Sequence, residues 1–173
     1  MNRQQKKEYH DYYYSRAPVA RRWIDRARDA ADLLLKTTKI VKPTILDIGC
    51  GAMEIDSFLM LEHKYIPCDF VKRSENCLLV DINRVNDLAT LPKVDIVVTL
   101  GVLEYAENLE SFIKHLKGIT KEFCFSYRVD HNREVLNNNY SLKEIRSLVG
   151  QFFNIVFDKP TYNNCWLFYS TNN

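Results

Sequence analysis

The stretch that decides the fold is Thr44-Ile45-Leu46-Asp47-Ile48-Gly49-Cys50-Gly51, which directly follows Pro43. Its first part is a short apolar run with an acid near its end, which is typical of a buried strand. Gly49 and Gly51 then form a turn in which the backbone can approach a ligand, because glycine carries no Cβ. The stretch therefore predicts a strand, a tight turn and a helix, with Asp47 beside the turn.

Other short apolar runs after this stretch predict further buried strands. They are Tyr65–Cys68, Cys77–Val80, Val94–Leu100 and Phe123–Tyr127. Helical segments are predicted between them at Met53–Glu62 and Asn108–Lys117, and a capping box opens another helix at Ser141. The connection from Asp69 to Asn76 is too short for a full helix. Alternating strands and helices predict a mostly parallel sheet.

The two ends of the chain complete the predicted fold. An amphipathic helix is expected over Pro18–Ile40, and Asn154–Phe157 and Cys165–Tyr169 are expected to pair as antiparallel strands. The prediction is an α/β fold, a Rossmann-like doubly wound seven-stranded sheet with an antiparallel C-terminal hairpin and helices on both faces. We expect one domain over residues 1–173, with residues 1–42 as a helical lid or cap and 43–173 as the core.

Composition narrows the classes of protein and of site. The 24 basic and 22 acidic residues nearly cancel, so the charge total gives no nucleic-acid signature. The five cysteines contain no CxxC pair and lie mostly in apolar runs, which predicts reduced core residues, a cytoplasmic location and no metal site. No apolar stretch is long enough to span a membrane, and no secretion signal is recognisable.

Glu54, three positions after Gly51, indicates which of two kinds of cofactor the turn would bind. A pyrophosphate-binding fingerprint needs a third glycine where this chain has Glu54, which disfavours a nicotinamide-dependent oxidoreductase. S-adenosylmethionine has a sulfonium cation, an amino group and no phosphate. An acidic Asp47 beside the turn would suit its charge.

Four motifs in order resemble the class I S-adenosylmethionine-dependent methyltransferases. Leu46–Gly51 resembles the first motif of that family, and Tyr65–Asp69 resembles its second strand. Leu78–Ile82 and Val94–Tyr105 resemble the third strand and the fourth strand with its exit loop. The run Tyr65–Phe70 and the short connection that follows it are also similar to those of small methyltransferases associated with bacterial surface-sugar modification.

The resemblance implies a cofactor site, with S-adenosyl-L-homocysteine as product and no metal. It assigns Asp69 to the ribose, Asp81 and Ile82 to the adenine, and backbone of Leu100 and Gly101 to the methionine part. The full implied set is Asp47, Gly49, Cys50, Gly51, Asp69, Phe70, Asp81, Ile82, Leu100, Gly101, Tyr14 and Arg16. Arg16 would clamp the methionine carboxylate from an aromatic leading segment. The alternative for that segment is a tyrosine-rich helix packed on the sheet.

Catalytic candidates follow the last parallel strands. His131 comes after the fifth strand, at the edge where open α/β sheets bind substrates, and its ordinary pKa near 6.5 suits a general base. The alternative is that His131 is a plain loop residue without a catalytic role. Tyr105 is the second candidate, since it stands where many small-molecule members of the family have His. A dedicated base is not obligatory, because alignment with an activated methyl group supplies much of the rate.

The expected activity is therefore methyl transfer to an oxygen or nitrogen of a small-molecule or sugar acceptor. The alternative is a non-catalytic protein of the same fold that senses the cofactor or binds a partner enzyme. The acceptor's identity and the oligomeric state stay open.

Overall fold

The computed structural model of the protein describes residues 17–129, 136–162 and 164–172. These residues form a seven-stranded sheet in the order β3-β2-β1-β4-β5-β7-β6. The strands are β1 (Thr44–Ile48), β2 (Lys64–Asp69), β3 (Leu78–Leu79), β4 (Ile96–Leu100), β5 (Glu122–Arg128), β6 (Phe153–Pro160) and β7 (Cys165–Asn172). Strands β1 to β5 are parallel, and β7 runs antiparallel to both β5 and β6.

The helices are α1 (Ala17–Thr37), α2 (Glu54–Phe58), α3 (Val85–Leu88), α4 (Leu109–Ile119) and α5 (Leu142–Gly150). A 3₁₀ turn, Leu103–Tyr105, follows β4. Two helices begin at strong side-chain caps: Asn108 accepts from the Ser111 amide before α4, and Ser141 and Glu144 form the expected capping box before α5.

Helices cover both faces of the sheet because alternate strand residues point to opposite sides. On one side, Ala30 and Leu34 of α1 pack in a buried cluster with Ile45, Ile96 and Val98. On the other side, Leu46 and Val97, the next residues along the same strands, belong to a cluster that contains residues of α4 and α5. The predicted doubly wound α/β fold is confirmed.

Element lengths differ from the prediction where apolar residues lie outside regular structure. The helix expected over Met53–Glu62 is shorter and consists only of α2. It ends at Phe58 because the backbone of Leu59 is extended and the buried Leu59 side chain packs into the core. The strand expected over Cys77–Val80 pairs only as β3, at the sheet edge, where Leu79 is 52% exposed. No helix forms between Asp69 and Leu78, as predicted for that short connection.

All five cysteines are free and buried, which agrees with their predicted place in the core. None of the helices in the described ranges is long and apolar enough to cross a membrane.

Candidate functional site

A cavity of about 270 Å³ opens where β1, β2 and β4 end. Their carboxyl ends meet at one edge because the strands are parallel and in register, with Asp47 opposite both Pro67 and Val98. Ligands of open α/β sheets bind at this edge. Helix α1 adds Arg22, Trp23, Arg26 and Ala27 to the lining, and the loop before β7 adds Tyr162.

The glycine turn is built around Gly49, which has φ +76°. The amides of Gly49 and Cys50 both donate to the Cys68 carbonyl oxygen, at 2.7 and 3.0 Å. A Cβ on Gly49 would lie 2.2 Å from Cγ2 of Val102, in the exit loop of β4. The glycine is thus required by the close approach of this loop, in addition to its left-handed backbone.

Asp69 closes the turn from the neighbouring strand. Asp69 is only 6% exposed, and its carboxylate accepts hydrogen bonds from the amides of Gly51 at 3.1 Å and Val71 at 3.0 Å. Arg73 Nε adds a third bond at 3.3 Å. Gly51 itself is not part of the cavity lining; its contribution to the site is to hold Asp69 in place.

Asp47 is the second buried acid of the cavity. The Tyr65 hydroxyl donates to its carboxylate at 2.6 Å. Burial raises the pKa of Asp47 from 3.8 to about 7, although the Tyr65 hydrogen bond opposes the rise. The carboxylates of Glu54 and Asp69 also raise this pKa, whereas the guanidinium of Arg26 lowers it.

Asp81 and Ile82 follow β3 and line the same cavity, together with Phe70. The Asp81 carboxylate accepts from the Asn83 amide at 3.1 Å and lies 3.8 Å from Arg84 Nε. Its side chain is 22% exposed, so part of the carboxylate stays accessible. The acid that ends β2 and the acid that follows β3 therefore line one cavity.

Arg26 is a cation of the cavity that the sequence analysis did not single out. It reaches from α1 over Gly101, so that a Cβ on Gly101 would lie 2.5 Å from Arg26 Nη1. Gly101 has φ +73°. No residue of the described ranges accepts a hydrogen bond from the buried Arg26 Nε. In the sequence Arg26 stands between apolar positions of an amphipathic helix, where surface charges are common. Only the packing of α1 brings it to the strand ends.

Glu104 is a further buried acid that the sequence analysis missed. It lies in the 3₁₀ turn, lines the cavity and is 5% exposed. Its Oε1 accepts from the Arg128 amide at 2.8 Å. Burial raises the pKa of Glu104, while Arg26 and Arg128 act in the opposite direction.

Three asparagines hold the loop that carries Glu104 and Tyr105. Asn83 and Asn137 donate to the Tyr105 carbonyl oxygen, at 3.0 and 2.5 Å. Asn138 donates to the carbonyls of Leu103 and Ala106, at 2.8 and 2.9 Å. The run Asn137-Asn138-Asn139 was the available sequence signal, since asparagine side chains stabilise irregular backbone.

The structure brings most of the predicted site residues to this cavity. Those that line it are Asp47, Gly49, Cys50, Asp69, Phe70, Asp81, Ile82, Leu100, Gly101 and Tyr105. His131, Tyr14 and Arg16 lie outside the described residues. Within the described ranges, no group of three His, Cys, Asp or Glu side chains is arranged to hold a metal ion.

Solved structures share this architecture. A chain of the complex between the Haloferax volcanii Trm112 methyltransferase activator and a methyltransferase aligns with a TM-score of 0.71 at 13% identity, over 94% of this chain and 97% of that chain. Magnesium protoporphyrin IX methyltransferase (ChlM) from Synechocystis PCC 6803 with bound SAM gives 0.67 at 14% identity, over 87% and 79%. The N-methyltransferase NodS from Bradyrhizobium japonicum WM9, in complex with S-adenosyl-L-homocysteine, gives 0.66 at 16% identity over 86% of each chain.

The chain has the fold of the class I S-adenosylmethionine-dependent methyltransferases. No family model matches the sequence, and no curated protein matches it. At the identities of these structures the likeness establishes the fold, and an activity has to be argued from the residues of the site.

Proposed function

We propose that the protein is a methyltransferase that moves a methyl group from S-adenosylmethionine to an oxygen or nitrogen of a small-molecule or sugar acceptor. The observation that carries this proposal is the convergence of three acids from neighbouring strands, Asp47, Asp69 and Asp81, on one cavity. The whole chain would act as one domain, with residues 1–42 partly covering the site. Its reduced, buried cysteines support a cytoplasmic location.

The charges of the cavity fit the charges of S-adenosylmethionine. The carboxylates of Asp69, at the end of β2, and Asp81, after β3, would accept hydrogen bonds from the ribose hydroxyls and the adenine amino group. Asp47 would face the amino group and the sulfonium. Arg26, with its buried Nε, would bind the methionine carboxylate, the role that the sequence analysis gave to Arg16.

Bound S-adenosylmethionine would supply an activated methyl group on a sulfonium. The chain's own contribution is to orient the reactants and to exclude water. The exit loop of β4 is suited to this role, because Asn83, Asn137 and Asn138 fix its backbone at the cavity. A fixed loop aligns an acceptor with the methyl group without a large entropic cost in the transition state.

Calorimetric titration with S-adenosylmethionine and S-adenosyl-L-homocysteine tests the proposal. We expect the intact protein to bind both, and Asp69→Asn to bind each at least about 10-fold more weakly, because hydrogen bonds to charged groups contribute about 1.5–3 kcal/mol. Absence of binding by the folded wild type would contradict the proposal.

Asp95→Asn is the matched control. Asp95 also accepts from a backbone amide, that of Thr44 at 2.9 Å, and from a cation, Lys121 Nζ at 2.7 Å. It lies at the amino end of β4, away from the cavity, so its change should leave both affinities unaltered.

A further inference from the structure

Among the residues that the structure describes, the buried Glu104 carboxylate accepts a hydrogen bond through only one of its two oxygens. Oε1 accepts from the Arg128 amide at 2.8 Å, but no residue of the described ranges donates to Oε2. A buried acceptor without a partner costs free energy, so such groups in native proteins call for an explanation. Glu104 lines the cavity, and a bound molecule could supply the missing donor.

Glu104 lies at a different part of the sheet edge from the acids assigned to the adenosine. Asp69 ends β2 and Asp81 follows β3, and both strands lie on one side of β1. Glu104 follows β4, on the other side of β1, and bonds to the end of β5. With the adenosine on the β2 side, the methionine part would lie near Gly49 and Gly101, and Glu104 would come next on the acceptor side.

We propose that Glu104 Oε2 accepts a hydrogen bond from the nucleophilic atom of the methyl acceptor and removes its proton. This inference rests on the proposed methyltransferase activity and narrows the acceptor to an amine or a hydroxyl. The acceptor's lone pair forms the bond to the methyl carbon, the carbon–sulfur bond breaks with its electrons on sulfur, and the acceptor's proton passes to Glu104. The products are the methylated acceptor, S-adenosyl-L-homocysteine and neutral Glu104.

In this proposal, one oxygen of Glu104 positions the side chain and the other accepts the proton. Oε1 fixes the side chain to the end of β5, which gives Oε2 a defined position. Burial also makes the carboxylate a better proton acceptor than one in water. The positive charges of Arg26 and Arg128 oppose this rise in the pKa of Glu104.

Sinefungin tests this placement without knowledge of the natural acceptor. It is a cofactor analogue in which an amine-bearing carbon replaces the methylated sulfur, so its ammonium group lies at the point of methyl transfer. We expect the wild type to bind sinefungin more tightly than S-adenosyl-L-homocysteine. Glu104→Gln still offers a side-chain oxygen to the Arg128 N–H. In this variant the preference for sinefungin should fall about 10-fold, while the affinity for S-adenosyl-L-homocysteine stays the same.

Glu122→Gln is the matched control. Glu122 is also buried, at 8% exposure, and its Oε2 also lacks a partner among the described residues. It begins β5 and does not line the cavity, so its variant should keep the wild-type preference for sinefungin. An unchanged preference in Glu104→Gln, with normal S-adenosyl-L-homocysteine binding, overturns the role of Glu104 alone. Failure of the wild type to bind S-adenosyl-L-homocysteine overturns the proposed function as well.

A crystal structure of the wild type with sinefungin decides the point if Glu104→Gln fails to fold. We expect the sinefungin amine nitrogen to face Glu104 and to bond to Oε2 directly or through one water molecule in the place of the acceptor's nucleophilic atom. An amine bonded elsewhere, with Oε2 still lacking a donor, would refute the proposal.

Discussion

The Tyr65 hydroxyl on β2 donates a 2.6 Å hydrogen bond to the Asp47 carboxylate on the adjacent β1. The pair lies beside the glycine turn, and burial raises the pKa of both groups. For Asp47 the pKa reaches about 7. The charge at the centre of the proposed cofactor site therefore changes near neutral pH.

This pKa predicts how stability depends on pH. The folded pKa of Asp47, about 7, lies above its ordinary value of 3.8, so the folded protein binds the proton more tightly than the unfolded chain. The cost of ionising Asp47 is absent below its ordinary pKa and grows as the pH rises toward the folded pKa. Asp47→Asn should therefore gain stability relative to the wild type over this window, by at most about 1.4 kcal/mol per pH unit. Urea unfolding across the window measures the difference.

Asp95→Asn should change stability with pH in the opposite direction to Asp47→Asn. The hydrogen bond from Lys121 lowers the pKa of Asp95, and that from the Thr44 amide adds to it. Its stabilisation is present above its ordinary pKa and is lost as the pH falls through the folded pKa. The Asp95→Asn deficit should therefore shrink in acid. Equal slopes for both variants would show that Asp47 is not the group responsible.

Gly49→Ala should destabilise the fold strongly. The new Cβ would lie 2.2 Å from Val102 Cγ2, and the backbone φ of +76° strains any residue with a side chain. We expect a loss of about 1–3 kcal/mol in thermal or urea unfolding. The double variant Gly49→Ala/Val102→Ala should recover part of this loss, because the clash is removed and the backbone strain stays.

Gly118→Ala is the control for this substitution. A Cβ on Gly118, within α4, meets no atom within 4 Å. The change should stabilise the protein by about 0.5–1 kcal/mol, since alanine favours helix. A similar loss from both alanines would mean that the glycine turn has no special requirement.

Arg26→Gln should weaken S-adenosyl-L-homocysteine binding and leave 5′-methylthioadenosine binding unchanged, because only the former carries the amino-acid carboxylate. A loss of about 10-fold or more is expected for a charge-assisted pair. Arg28→Gln is the control: Arg28 lies on the same helix, pairs with Asp25 at 3.4 Å and is not part of the cavity lining. Equal weakening of both ligands would place Arg26 away from the carboxylate.

Asn138 and Tyr127 should be energetically coupled. The Tyr127 hydroxyl donates to Asn138 Oδ1 at 2.7 Å and accepts from the Tyr140 amide at 2.8 Å. We expect Asn138→Ala and Tyr127→Phe each to cost about 1–3 kcal/mol, since each leaves partly buried polar groups unpaired. A double-mutant cycle by urea unfolding should give a coupling of about 0.5–3 kcal/mol. Strict additivity would mean that the two side chains hold the loop independently.

The sequence by itself determined the elements and much of the site. Strand β1, the glycine turn, the capping box at Ser141 and the missing helix after Asp69 were all predictable. The physical reason is that apolar periodicity, turn chemistry and caps act between residues close in the chain. Acids at strand ends could likewise be placed at one edge, because parallel strands align their carboxyl ends.

Only the tertiary structure decided which other side chains meet those acids. Arg26 reaches Gly101 because the apolar stripe of α1 packs on the sheet, a contact between residues far apart in sequence. Glu104 is buried because β5 supplies the Arg128 amide to its Oε1. In the sequence alone, neither Arg26 nor Glu104 can be distinguished from an exposed charged residue. Burial and pairing depend on long-range packing, which the local pattern of residues does not specify.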